Sequence, residues 1–150
     1  MMLTFALAVI TSSAFTIVDG DTIKLDGQRY RLAGIDAAES RQECLDAAGK
    51  SYPAGTEATN RLSFLMKGEQ VTCTWDKPDP YGRPIATCDV LGDAKSLNEH
   101  MVEEGFAFAA YSPAYFGDEL EARLSHIGIW QGSCEAPAQW RKEHRIGRQR

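Results

Sequence analysis

From Phe15 to Gly34, apolar and polar residues alternate in short runs that Asp-Gly interrupts twice, at Asp19-Gly20 and Asp26-Gly27. Asp-Gly between alternating runs is a strong hairpin signal, because glycine reaches positive φ without steric cost. The pattern predicts a three-stranded meander over residues 15–18, 21–25 and 28–34. Ile23 and Leu25 share one face of the second strand, Tyr30 and Leu32 one face of the third, and Arg29 and Arg31 the opposite one. Residues 40–55 are polar, with two glycines and a proline, and read as a long surface loop. Thr56 then caps a helix whose Ala58, Leu62, Leu65 and Met66 recur at helical spacing until Gly68 ends it. Strands are predicted at 69–75, with Val71, Cys73 and Trp75 on one face, and at 85–91. The 76–82 stretch between them carries two prolines and a glycine and is a connection.

Ser96-Leu97-Asn98-Glu99 is a capping box that opens a short helix running to Gly105. Residues 106–111 read as a short strand. Pro113 starts a further helix, with Tyr115, Leu120, Leu124 and Ile127 before Gly128. The order βββ-α-ββ-α-(β)-α is an α+β pattern. It matches an OB-fold, a five-stranded Greek-key β-barrel, here with three helices, an architecture often used on nucleic acids.

At 150 residues with 43% apolar content, the chain suits one domain with a real core. A formal charge of −5 argues against a protein that coats nucleic acid by bulk electrostatics. The charge is uneven: from Gln139 onward there are five basic residues against one acidic, and residues 131–150 read as a solvated basic tail. Residues 1–14, MMLTFALAVITSSA, are apolar and then small, too short to span a bilayer as a helix. They fit a signal peptide without its usual positive n-region, the other reading being a buried first strand. An exported, periplasmic or secreted protein is expected, or one anchored by an uncleaved N-terminal segment. The four cysteines agree with export: none forms a CxxC pair and the histidines have no zinc-like spacing. Cys73 and Cys88 bracket the turn-rich 76–82 stretch, so a cross-strand disulfide is the natural expectation.

The candidate chemistry gathers around the meander. Asp21 sits at a strand start, and Asp36 and Glu39 lie just past a strand end. With Arg31 they form a set able to hold a hard cation beside an anionic group. Taken alone, these residues read more simply as turn formers and a solvated strand arginine.

The spaced combination of VDGDTIKL at 18–25, YRLAGIDAAE at 30–39, DPYGRPIATC at 79–88, LNEHMVEEGFAFAAY at 97–111 and IW at 129–130 resembles the staphylococcal nuclease family. The resemblance covers about residues 15–130 and implies Ca²⁺-dependent hydrolysis of DNA and RNA phosphodiesters, leaving 3′-phosphates, by a monomer. By position, it implies that Asp21, Asp36 and the backbone carbonyl of Ala37 are calcium ligands and that Glu39 is the general base. Arg31 and Arg83 would clamp the scissile phosphate, and Tyr81 and Tyr111 would line the nucleotide pocket. A catalytically silent OB-fold module that binds nucleic acid or protein is the competing reading.

The chain departs from the family where Ala37-Ala38 replaces the usual Thr-Pro or Ala-Pro, where Pro80 replaces a lysine, and where Ala54 replaces a second cysteine. The loss of proline removes a φ constraint that would help aim Glu39. Cys44 is then left with Cys134 as its only partner if Cys73 pairs with Cys88.

Overall fold

A computed structural model describes residues 7–145. The meander forms as β2 (Phe15–Asp19), β3 (Thr22–Leu25) and β4 (Gln28–Leu32), and a short β5 (Ile35–Ala37) follows. Asp26 and Gly27, at φ 49° and 82°, make the left-handed turn that the Asp-Gly pair promises. The alternation is real: Ile23, Leu25, Tyr30 and Leu32 are buried in the main core. Helix α1 (Ala54–Met66) closes that core with Ala58, Leu62 and Met66. It begins two residues before Thr56 and has no side-chain cap.

The two later strands are β8 (Val71–Trp75) and β9 (Ile85–Val90), antiparallel with Cys73 directly opposite Cys88. Strand β9 also runs parallel to β4, with Arg31 opposite Ile85. The capping box works as read: Ser96 accepts from the Glu99 N–H at 3.0 Å and opens α2 (Leu97–Glu103). Within α2 the fully buried Asn98 accepts the Cys88 N–H and donates to the carbonyls of Ala33 and Ala86. It thereby ties β9 to the corner leading into β5. Strand β10 (Ala107–Ala109) pairs with β5, and α3 (Phe116–Leu124) and a 3-10 turn (Gly128–Trp130) complete this half.

Three features differ from expectation, and a fourth, described first, bears on an alternative that the sequence leaves open. Ala8–Ser12 forms an edge strand, β1, paired with β8, and Ser12 donates to Asp26 at 2.7 Å. Removing residues 1–14 would take this strand away; residues 1–6 lie outside the described residues. The main sheet has six strands, in the order β1-β8-β9-β4-β3-β2, and among the described residues strand pairing leaves β1 and β2 as edges without closing a ring. The 40–55 stretch is no free loop, because β6 (Cys44–Leu45) and β7 (Ser51–Tyr52) form a hairpin and Leu45 bridges to Ser133. The start of the basic tail is a fourth helix, α4 (Pro137–His144), where three were expected.

Both disulfides form, Cys73–Cys88 within the sheet and Cys44–Cys134 across a separation of 90 residues. Their presence fits an oxidising compartment. No described helix is long and apolar enough to cross a membrane.

Candidate functional site

The site begins at the β2–β3 turn. Asp19 Oδ1 accepts the Asp21 N–H at 3.1 Å, the turn-forming role its position suggests. A Cβ on Gly20 would lie 2.7 Å from that of Ala58 and 2.8 Å from that of Ala37, so only glycine lets this turn press onto α1 and β5. Asp21 is thereby brought to β5, where its Oδ2 accepts the Ala37 N–H at 2.8 Å. It is thus the amide of Ala37 that the structure sets on Asp21.

Across the hairpin, Thr22 pairs with Arg31. Arg31 Nη1 donates to Asp21 at 2.8 Å and Nη2 to Asp36 at 3.3 Å, so one guanidinium joins the two carboxylates. Both aspartates are 4% exposed. Burial pushes the Asp21 carboxyl up to about 7; the neighbouring Asp19 charge adds to the shift, and Arg31 and the Ala37 amide oppose it.

Arg83 arrives through the parallel β4–β9 pairing, with the Arg31 N–H donating to the Pro84 carbonyl at 2.9 Å. Asp79 builds this turn by accepting from the backbone of Tyr81 and Arg83 and from Arg83 Nε at 2.7 Å. Among the described residues no hydrogen bond engages the terminal nitrogens of Arg83, which leaves its fork free for an anion. The Tyr81 and Tyr111 rings, 86% and 75% exposed, each lie 5.9 Å from a guanidinium carbon, Tyr81 against Arg83 and Tyr111 against Arg31.

Glu39 is held by residues that sequence reasoning missed. Its N–H donates to Gln42 Oε1 at 3.1 Å, and the buried Gln42 side chain donates onward to the Glu135 carbonyl at 2.7 Å. A Cβ on Gly55 would overlap the Glu39 carbonyl, so only glycine lets α1 start against this loop, where the Gly55 N–H donates to the Gln42 carbonyl at 3.1 Å. Arg141 of α4 was also missed. Its Nη1 reaches Glu39 at 2.7 Å and Asp36 at 3.1 Å, and its Nη2 reaches Asp36 at 3.2 Å. No local signal marks Arg141, whose site contacts are made by packing across the chain, and Gln42 has a local partner in Glu39 but a distant one in Glu135.

Asp21, Arg31, Glu39, Tyr81, Arg83 and Tyr111 all line one cleft of about 650 Å³, joined there by Arg29 and Arg141. Asp36 is not on its wall, being engaged by Arg31 and Arg141. Among the described residues no three His, Cys, Asp or Glu side chains form a ready-made metal cage. The donor set is two converging buried carboxylates, which suits a hard cation that completes its shell with backbone oxygen and water. It does not suit zinc.

The sequence matches the family described as Staphylococcal nuclease homologue over residues 29–132. It is 33% identical over 124 residues to the succinoglycan biosynthesis protein ExoI of Rhizobium meliloti (strain 1021), covering 80% of this chain and 64% of that protein. It is 31% identical over 137 residues to an uncharacterized endonuclease of Escherichia coli O157:H7, covering 86% of this chain and 82% of that one. It is also 31% identical over 133 residues to the endonuclease YncB of Bacillus subtilis (strain 168), covering 77% of this chain and 59% of that protein. The chain thus spans less than two thirds of the length of ExoI and of YncB. With the family match running from β4 through the 3-10 turn at Gly128–Trp130, the chain belongs to the staphylococcal nuclease family.

Proposed function

We propose that this chain is a calcium-dependent nuclease that hydrolyses DNA and RNA phosphodiesters and leaves 3′-phosphates. The observation that carries this reading is the meeting of Asp21, Arg31, Glu39 and Arg83 at one cleft between two exposed tyrosines. Asp21 and Asp36, with the Ala37 carbonyl, would hold the cation. When bound, it would supply Lewis-acid polarisation of the phosphoryl oxygens.

The remaining work falls to the chain's own side chains. Glu39 accepts the proton of the attacking water. The Arg83 fork, with Arg31 beside it, takes up charge on the phosphate oxygens as phosphorus becomes five-coordinate, and planar guanidinium suits two oxygens at once. The P–O5′ bond then breaks, and the 5′ oxygen leaves with a proton taken from solvent water. Tyr81 and Tyr111 offer flat, sequence-tolerant faces to bases or sugars, as single-strand sites do. Cationic groups are concentrated in the cleft, so the acidic balance of the chain as a whole is no obstacle.

The two disulfides support action in the periplasm or outside the cell, and the working form proposed is a monomer. A silent binding module is the second reading. It is favoured by the similarity to ExoI, a protein named for biosynthesis, and by the engagement of Asp36 and Glu39 with Arg141. Plasmid and single-stranded RNA are incubated with the purified protein in Ca²⁺ and in EDTA. Cleavage in Ca²⁺ that EDTA abolishes is expected, whereas binding without cleavage of either substrate leaves the module.

A further inference from the structure

Whereas Arg31 joins Asp36 to Asp21, Arg141 joins Asp36 to Glu39. Its two terminal nitrogens hold both oxygens of Asp36, at 3.1 and 3.2 Å, and Nη1 also holds Glu39 at 2.7 Å. Arg31 already donates to Asp36 Oδ1. Three of the four lone-pair sites of Asp36, two on Oδ1 and one on Oδ2, are therefore taken by guanidinium hydrogens. A divalent cation therefore competes with this bidentate pair for the oxygens of Asp36, and the two positive charges repel each other there.

The helix that carries Arg141 is built to give it up. The chain entering α4 is fixed by the Cys44–Cys134 bond and by the Gln42 hydrogen bond to the Glu135 carbonyl. Beyond that anchor, α4 buries only Pro137, and its contact with the site is the ion pairs of Arg141. Arg141 is 28% exposed and on the cleft wall, so its release sends the guanidinium into solvent and opens no cavity.

We propose that Arg141 is an internal counter-ion that occupies the cation site through Asp36 and Glu39 and must be displaced by the divalent cation. The inference rests on the reading of Asp21 and Asp36 as cation ligands. Its consequence is that the chain carries its own competitor, which lowers cation affinity and keeps Glu39 engaged until the cation arrives. The tether at Cys134 keeps the competitor at high local concentration, since closing the contact is an intramolecular step.

The test is calcium affinity, measured by isothermal titration calorimetry on the intact oxidised protein, separately from cleavage. Arg141→Ala is expected to bind calcium roughly tenfold more tightly than wild type, the factor for a binding-competent state populated about a tenth of the time. Arg141→Gln, which keeps a polar side chain and helix propensity, is expected to do the same and guards against a folding defect. Asp21→Ala, with Arg141 intact, supplies the background without a cation site. Calcium binding that is unchanged or weaker in both Arg141 variants overturns the competitor. If wild type still cleaves DNA in calcium, that result leaves the nuclease reading standing. Absence of calcium binding in wild type and in both variants overturns both. Tight calcium binding that appears only when Arg141 is replaced, with no cleavage by any form, upholds the competitor and overturns the nuclease.

Discussion

Single side chains in this site differ by what they touch, and so should their replacements. Glu39→Gln keeps the shape but cannot accept a proton, and we expect kcat to fall by about 10²–10⁴-fold with little change in binding. Arg83→Ala should lower kcat through lost charge stabilisation, and Arg83→Lys should restore it incompletely, because a point charge cannot reproduce a two-pronged contact. Single-turnover cleavage of short oligonucleotides at saturating Ca²⁺, with circular dichroism on each variant, separates these outcomes. A wild-type rate for Glu39→Gln would remove it as the base.

Asp21 makes a second prediction at this scale. With its carboxyl pushed up to about 7 in the folded chain and near 4 when unfolded, the folded state holds the extra proton between those values. The Asp21 contribution is therefore fully present below about pH 4 and is lost as pH rises through about 7. In EDTA, urea midpoints should fall over that window in wild type and fall less in Asp21→Asn. Equal slopes would show that Asp21 does not hold the proton.

At the scale of elements, the loop bearing Glu39 is placed by its neighbours more than by its own residues. The Gln42 side chain is the link between that loop and the chain entering α4. Gln42→Ala would leave the Glu39 amide and the Glu135 carbonyl without these partners, and we expect a loss of about 1–3 kcal/mol in urea denaturation. It should also weaken cleavage, since it frees the loop. Unchanged stability would mean that water replaces the side chain. Gly55 sets the same loop from the other side, and its replacement by alanine should displace Glu39, because the added Cβ meets backbone that cannot rotate away.

For the whole molecule, the two disulfides do different work. Cys73–Cys88 joins directly opposed residues of β8 and β9 inside the core, whereas Cys44–Cys134 ties the β6–β7 hairpin to the segment leading into α4. In the chain-entropy account, closing the two loops is worth about 3 and about 4–5 kcal/mol. Non-reducing peptide mapping should recover both bridges. Replacing Cys44 and Cys134 together by serine should loosen α4 while the core still folds, seen as faster hydrogen exchange in residues 137–144. Unaltered exchange there would assign the docking of α4 to its other contacts.

Much of the β-sheet and three of the helices were legible in the sequence, because their signals are local. Asp26-Gly27 specifies its own turn, the alternation of Ile23, Leu25, Tyr30 and Leu32 specifies the buried face, and Ser96 with Glu99 specifies a helix start. The residues matched to the family meet at the cleft, save Asp36 and Ala37 just off its wall. Tertiary structure alone decided the rest. The strand at Ala8–Ser12 lies in a run that fits a leader and a first strand alike, because a short apolar run has no periodicity to distinguish the two. In α3 the apolar stripe Phe116, Leu120 and Leu124 is exposed, and Ala122 is the residue buried. Periodicity tells which residues share a face, but the neighbour that packs against the helix chooses the face. Arg141 lies 105 residues from Asp36 and 102 from Glu39, and in sequence it is one cation among several in a basic segment. Its place in the site follows from where a disulfide and a buried glutamine bring the chain back, which no local pattern encodes.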